Sequence, residues 1–167
     1  MKRSIEDTPI VFIGAGNLAT NLAKALYRKG FRIVLVYSRT EESARELAQK
    51  VEAEYTTDLA EVNPYAKLYI VSLTDSAFAE LLPGIVEGKR EEALMVHTAG
   101  SIPMNVWEGH VPHYGVLSHA DFQQAEGGRL KADSFLHRGF FGRRCRVSES
   151  HCLYTVQPCV RCRLGAA

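Results

Sequence analysis

Long hydrophobic runs are missing from this sequence, and its charges nearly cancel. No stretch approaches the roughly 18 consecutive apolar residues that a membrane-spanning helix needs. The polar N-terminal segment 1–8 leads into an apolar run of only strand length, which is not the pattern of a secretory signal. The formal net charge is +1, so the overall balance does not indicate a nucleic-acid partner. We therefore expect a cytoplasmic protein that binds neither membranes nor nucleic acid.

Several patterns of catalytic chemistry are also absent. The chain has no Ser-His-Asp order, no pair of acid–base carboxylates and no P-loop lysine. It contains neither an internal repeat nor a low-complexity tract. The first cysteine is Cys145, and disulfides are rare in cytoplasmic proteins. These absences argue against a triad hydrolase, a P-loop nucleotidase and a disulfide-stapled scaffold.

The composition changes abruptly after Leu117. Up to that residue the chain has 12 Lys+Arg and 15 Asp+Glu, whereas residues 118–167 have 8 and 4. All four cysteines and seven of the thirteen arginines lie in the second part, which also lacks hydrophobic periodicity. We predict a folded domain over residues 1–117 and an irregular, poorly ordered tail over residues 118–167.

Strand and helix patterns alternate in the first part, as they do in a parallel sheet with crossover helices. The pattern predicts strands at 10–13, 31–37, 54–56, 68–73, 93–97 and 111–117. Helices are predicted at 17–28, 41–51 and 76–82, the last ending at Pro83-Gly84, with short turns at 58–62 and 102–107. Leu18, Leu22, Ala25 and Leu26 are expected on one face of the first helix. The fold class is therefore α/β, a doubly wound parallel sheet followed by an irregular tail.

The most specific motif follows the first strand. An apolar strand runs into Gly14-x-Gly16-x-x-Ala19 and then into a helix, which is the order of a Rossmann nucleotide-binding fingerprint. Gly14 permits the tight turn, Gly16 lets a pyrophosphate approach the backbone, and Ala19 allows close helix–strand packing. The amides at the helix N-terminus would face the phosphates. The predicted phosphate-binding residues are Gly14, Ala15, Gly16, Asn17, Leu18 and Ala19. The alternative is a glycine turn without a ligand.

The end of the second strand indicates which dinucleotide binds. Enzymes that prefer NAD usually carry an acidic residue there, which binds the ribose hydroxyls. This chain has Ser38, Arg39 and Thr40 instead. A guanidinium and two hydroxyls suit a 2′-phosphate, because arginine makes charge-assisted, forked hydrogen bonds to it. We therefore predict NADP(H), the alternative being that Thr40 only caps the second helix and Arg39 is solvated.

Four segments together resemble the N-terminal domain of pyrroline-5-carboxylate reductase and its relatives. They are Gly14-Ala-Gly-Asn-Leu-Ala19, Tyr37-Ser-Arg-Thr40, Val71-Ser-Leu-Thr-Asp75 and His97-Thr-Ala-Gly-Ser101. The relatives include deazaflavin-dependent NADP oxidoreductases and an uncharacterised Rossmann-like oxidoreductase branch. The resemblance implies that 9–117 hold NADP(H), and that a helical C-terminal domain of a full-length form completes the substrate pocket and the homodimer.

The resemblance also implies roles for two further loops. Ser72, Leu73 and Thr74 would line the adenine-side ribose and the pyrophosphate, although an ordinary strand-to-helix turn is equally compatible. The loop after the fifth strand would lie at the nicotinamide, with contacts from Thr98, Ala99 and Gly100. Its flanking residues His97 and Ser101 are candidates for hydrogen bonding to a substrate. The alternative for His97 is a purely structural role.

We therefore expect the cofactor-binding domain of an NADP(H)-dependent oxidoreductase that transfers hydride to or from a C=N or C=O group of an unknown small molecule. One alternative is a catalytically inactive nucleotide-binding module. Another is a small zinc-binding protein, because the tail contains His151-Cys152 upstream of Cys159-x-x-Cys162. No apolar pattern surrounds those residues, and we predict no metal site.

The tail has a further explanation. Written with freely chosen third bases and read one base later, the sequence from Ser118 becomes Pro-Met-Gln-Thr-Phe-Ser-Lys. It continues into a strand-like Ile-Pro-Phe-Phe-Ile-Glu-Ala run and an amphipathic helix. The family resembled above has a Pro-Met/Leu-x-x-Phe segment at this place. We therefore interpret residues 118–167 as a frameshifted translation, which stops short of the helical substrate and dimerisation domain.

Overall fold

The computed structural model describes residues 8–62, 64–111 and 113–116. Six parallel strands form one sheet in the order β3-β2-β1-β4-β5-β6. The strands are β1 (Ile10–Ile13), β2 (Ile33–Tyr37), β3 (Glu54–Thr56), β4 (Leu68–Val71), β5 (Leu94–His97) and β6 (His113–Val116). The helices are α1 (Asn17–Arg28), α2 (Glu41–Val51) and α3 (Asp75–Val86), with short 3-10 helices at Leu59–Glu61 and Met104–Trp107. The predicted Rossmann-type α/β fold is confirmed.

Hydrophobic residues cover both faces of the sheet. All four residues of β1 are fully buried, as expected for a strand in a parallel sheet with layers on both sides. Ile10 and Phe12 pack with α1 and α2 on one face, whereas Val11 and Ile13 pack with α3 and Trp107 on the other. No helix within the described ranges is long and apolar enough to cross a membrane.

The strand order reverses at β1, which lies between β2 and β4. Backbone hydrogen bonds hold the carboxyl ends of these strands level: Gly14 N donates to Tyr37 O and Ser72 N donates to Ile13 O, both at 2.8 Å. In open α/β sheets, ligands bind in the crevice at such a reversal. We therefore expect a ligand to contact the loops that leave β1, β2, β4 and β5.

Some predicted element bounds differ from the structure, and one helix residue is more exposed than its neighbours on the same face. Helix α3 does not end at Pro83-Gly84 but continues to Val86. Pro83 lies in the last turn, where its carbonyl still accepts a hydrogen bond from Glu87 N at 3.2 Å. Leu18 is 38% exposed because it lies in the first turn of α1, at the carboxyl edge of the sheet. The predicted irregular tail and the cysteine–histidine group fall outside the described residues.

Candidate functional site

Four segments singled out from the sequence lie at the carboxyl edge of the sheet. Residues 14–19 follow β1, 38–40 follow β2, 72–74 follow β4, and 98–101 follow β5. The parallel pairing of these strands brings the four loops to one edge. The fold therefore joins into one surface residues that are up to 87 positions apart in the sequence.

The two glycines of the first loop have different surroundings. Gly14 has a φ of +109°, and a Cβ built there would lie 2.1 Å from the carbonyl oxygen of Ser72. Glycine is therefore required at this position by the fold itself. Gly16 has an ordinary φ of −71°, and a Cβ built there would meet nothing within 4 Å. The space in front of Gly16 is open, which fits the approach of a pyrophosphate.

The N-terminus of α1 faces this open space without a cap of its own. Gly16 is the N-cap residue and, as a glycine, has no side chain that could cap the helix. The first helical bond runs from Thr20 N to Gly16 O at 2.9 Å, so the amides of residues 17–19 precede the intrahelical ladder. Unpaired amides and the positive end of the helix dipole suit a phosphate group. Ala19 is fully buried and lets α1 pack closely on the sheet.

The loop after β2 presents an exposed cation. Ser38 N donates to Thr56 O at 3.2 Å, which fixes the start of the loop. Arg39 is exposed. The ion pair found within the described ranges joins Lys50 to Glu46 on α2 and does not include Arg39. Thr40 is the N-cap residue of α2, but its side chain makes no cap bond. Its hydroxyl donates to Ser43 Oγ at 2.9 Å instead.

The loops after β4 and β5 are joined by side chains. The Thr98 hydroxyl donates to Ser72 Oγ at 3.1 Å, and the Ser101 hydroxyl donates to a carboxylate oxygen of Asp75. The backbone adds a bond from Thr98 N to Val71 O at 3.0 Å. Asp75 ends one of the four segments but was not predicted to be a site residue, because its partner is 26 residues away and only the sheet brings the two together.

His97 points into the core rather than toward the loops. It is fully buried between the rings of Phe78 and Trp107, with centroid distances of 5.5 and 6.1 Å. Neither ring nitrogen has a hydrogen-bond partner in the described structure. Burial lowers the pKa of His97 to about 4, and the nearby Ala99 backbone, which is not placed for a regular hydrogen bond to the ring, offsets this only in part. This placement favours a packing role, whereas Ser101 is exposed; a direct role for either residue stays a prediction.

Comparison with known proteins identifies related sequences. A relative from Caenorhabditis elegans, named as a pyrroline-5-carboxylate reductase, is 30% identical over 115 residues, which are 65% of this chain and 38% of that protein. The glutamyl-tRNA reductase of Methanococcoides burtonii is 25% identical over 114 residues, or 65% of this chain and 27% of that protein. The chain therefore spans well under half the length of these curated relatives.

Two solved structures are similar to this chain, one in sequence and fold and the other in fold. A protein described as an NADP oxidoreductase from Bacteroides fragilis is 96% identical, with a TM-score of 0.67, over 68% of this chain and 44% of that chain. The prephenate dehydrogenase of A. aeolicus, at 20% identity and a TM-score of 0.54, covers 76% of this chain and 41% of its own and shares the fold.

The family model described as NADP oxidoreductase, coenzyme F420-dependent, matches residues 9–100, which are more than half of the chain. The resemblance inferred from the four loop segments is thereby confirmed, as is NADP(H) as the cofactor of this oxidoreductase domain. The chain belongs to the NADP oxidoreductase, coenzyme F420-dependent, family.

Proposed function

We propose that residues 9–117 are the cofactor-binding domain of an enzyme that moves hydride between NADP(H) and a C=N or C=O carbon of a small molecule. The observation that carries the proposal is the open space at Gly16, faced by the uncapped N-terminus of α1. An uncapped helix end beside a glycine without neighbours is the backbone arrangement that a pyrophosphate requires. The cofactor supplies the hydride chemistry, and the protein residues bind and orient it.

Each loop takes one part of the dinucleotide. Residues 14–19 hold the pyrophosphate, and Ser38, Arg39 and Thr40 hold the 2′-phosphate of the adenine ribose. Residues 72–74 line the adenine-side ribose and the pyrophosphate, while residues 98–100 lie against the nicotinamide. This order follows the carboxyl edge of the sheet from β2 through β1 and β4 to β5. His97 and Ser101 remain the candidates nearest to the reacting end.

Replacing Arg39 by Asp tests the cofactor assignment. Each charge-assisted hydrogen bond to a phosphate contributes about 1.5–3 kcal/mol, so NADPH affinity is expected to fall by about 10–100-fold. NADH has no 2′-phosphate, and its affinity is expected to change little. Titration calorimetry with both nucleotides measures the difference. The control is Arg45→Asp, the same charge change at an exposed position of α2. Equal losses for NADPH and NADH in Arg39→Asp would contradict the assignment.

The same proposal covers residues 118–167, which we interpret as out-of-frame sequence. The 96% identity to the Bacteroides fragilis protein extends over 68% of this chain, about 114 residues, close to the length of the domain. That protein is more than twice as long as the shared part. In this proposal, the shifted frame encodes the part that contacts the substrate and forms a homodimer in the full-length, cytoplasmic enzyme.

Sequencing the source gene across the codons for Leu117 and Ser118 tests the frame. The proposal expects a reading that continues into Pro-Met-Gln-Thr-Phe. A verified sequence in the printed frame, with a stop codon after Ala167, would overturn the frameshift. The alternative that the cysteine-rich tail binds zinc would then have to be tested. Zinc content measured on the purified chain would then decide that alternative.

A nucleotide-binding module without catalysis is the second candidate. It is favoured by the fraction of the Bacteroides fragilis protein that this chain covers, 44%. Both candidates expect NADPH binding, but only the first expects the full-length form, with the shifted frame restored, to oxidise NADPH in the presence of an imine or carbonyl compound. Turnover by the 167-residue chain would exclude the second candidate.

A further inference from the structure

Two hydrogen bonds hold the β5 loop, residues 98–101, at both of its ends. At the start, the Thr98 hydroxyl donates to Ser72 Oγ at 3.1 Å. At the end, the Ser101 hydroxyl donates to the Asp75 carboxylate. Both acceptors belong to the segment that leaves β4, and each bond spans 26 residues of sequence. The loop is therefore tied to its neighbour by side chains on either side of Ala99 and Gly100.

The middle of the loop is open. A Cβ built on Gly100 would meet nothing within 4 Å, so no other part of the described structure covers this point. The Ile102 amide donates to the Ala99 carbonyl at a long 3.4 Å, which holds the turn only weakly. A backbone bond from Thr98 N to Val71 O at 3.0 Å also holds the start of the loop, so it is the end of the loop whose position depends mainly on a side-chain bond, that of Ser101 to Asp75.

Asp75 makes its bond to the other loop and not to its own helix. It is the first residue of α3, after the N-cap residue Thr74, whose side chain makes no cap bond. The Thr74 hydroxyl lies 3.4 Å from Ser76 Oγ. An acidic residue at this position is already stabilised by the helix dipole, so packing of α3 does not require Ser101. The bond to Ser101 therefore serves to hold the loop. Because Ser101 donates its hydroxyl proton to Asp75, its oxygen can only accept a further hydrogen bond.

We infer that Asp75 and Ser101 are a positioning pair, which holds the β5 loop in the conformation that receives the nicotinamide half of the cofactor. The inference rests on the proposed function, since the occupant of the edge is NADP(H). Neither residue needs to touch the reacting atoms for this role. Without either side chain, the only side-chain bond that the described structure leaves to the loop is that of Thr98 to Ser72. The nicotinamide half then has to order the end of the loop on binding, which lowers the affinity for NADPH.

A comparison of two ligands tests the pair. Adenosine 2′,5′-bisphosphate carries the adenine half with its 2′-phosphate and lacks the nicotinamide, whereas NADPH carries both halves. In Ser101→Ala we expect NADPH affinity to fall by about 10-fold and the affinity for adenosine 2′,5′-bisphosphate to stay the same. Ser101→Thr keeps the hydroxyl and is expected to restore NADPH binding. Ser76→Ala, on the same helix turn as Asp75, is the matched control and is expected to bind both ligands normally.

A double-mutant cycle separates pairing from independent effects. Asp75→Ala and Ser101→Ala are each expected to weaken NADPH binding. The double variant is expected to lose no more NADPH affinity than the single variant with the larger loss. Additive losses would overturn the inference, as would equal losses for both ligands in Ser101→Ala. If the unsubstituted chain binds neither ligand, the proposed function itself fails. Thermal unfolding of each variant, which is expected to match the unsubstituted chain within a few degrees, separates loss of affinity from loss of fold.

Discussion

The half of the sheet formed by β3, β2 and β1 differs from the half formed by β4, β5 and β6 in how it meets the carboxyl edge. The first half presents backbone amides of α1, a glycine turn and the exposed Arg39. The second half presents loops tied together by hydroxyl and carboxylate side chains, above a buried group of Phe78, His97 and Trp107. The first half is suited to binding phosphates through main-chain amides and the Arg39 side chain, and the second half holds its loops in place through side chains.

The largest expected effect is at the contact between the halves. Gly14→Ala places a methyl group 2.1 Å from the Ser72 carbonyl at a φ of +109°, and we expect a loss of about 3 kcal/mol or more in unfolding free energy. Gly16→Ala meets no atom within 4 Å, so it is expected to cost only about 1 kcal/mol or less, from the poorer N-cap. Urea unfolding of both variants measures this difference.

The Gly16 variant also tests the binding surface. Its added methyl group occupies the space assigned to the pyrophosphate, so NADPH affinity is expected to fall more than about 10-fold in a folded domain. Normal NADPH binding by Gly16→Ala would show that the pyrophosphate does not approach there. Calorimetric titration at a temperature well below the unfolding midpoint provides the measurement.

The next effect concerns the second half and depends on pH. Burial holds the pKa of His97 at about 4, below the unfolded value of about 6.5. The unfolded chain therefore binds the proton first, and stability that is complete above pH 6.5 is lost as the pH falls toward 4. We expect this group to remove roughly 2 kcal/mol between pH 7 and pH 5.

The variant His97→Leu isolates that contribution. Its unfolding free energy is expected to fall less between pH 7 and pH 5 than that of the unsubstituted chain, by roughly 2 kcal/mol. His110 is exposed, and His110→Leu is the matched control, expected to keep the original dependence. An unchanged pH dependence in His97→Leu would mean that the imidazole is hydrated in the folded state.

The smallest effect compares helix ends. Asp58 caps the 3-10 helix Leu59–Glu61 by accepting a hydrogen bond from Ala60 N at 2.9 Å, so Asp58→Ala is expected to cost about 1 kcal/mol. Thr74 precedes α3 without a cap bond, and Thr74→Ala is expected to cost less. Thermal unfolding of the two variants measures the order. The reverse order would show that Thr74 caps α3 in solution.

The first half was also the easier one to predict from the sequence. Helices α1 and α2 and strands β1 and β3 begin and end where the pattern places them, because apolar periodicity, Gly30 and the acidic first turn of α2 all agree. Strand β2 begins at Ile33, two residues later than predicted. The reason is local: Phe31 N still donates to Leu26 O at 3.2 Å and closes the end of α1.

The second half depends on contacts that a linear pattern does not contain. Proline and glycine at 83 and 84 usually end a helix, but Gly84 lies against Leu59, whose Cδ1 would be 3.2 Å from an added Cβ. That packing comes from the tertiary structure. The same holds for the Asp75–Ser101 bond, and for His97, which is buried against the rings of Phe78 and Trp107. The loops could be located from the sequence, but not the bonds between them.

The uncapped N-terminus of α1 links cofactor supply to the folding equilibrium. Its N-cap residue Gly16 has no side chain to accept hydrogen bonds from the first-turn amides, and a bound phosphate supplies an acceptor. A ligand that binds only the folded form stabilises it by about 2.7 kcal/mol when present at about 100 times its dissociation constant. A cell rich in NADP(H) would therefore keep more of this domain folded and out of reach of proteases than a depleted one, so the abundance of the protein would follow the nucleotide pool.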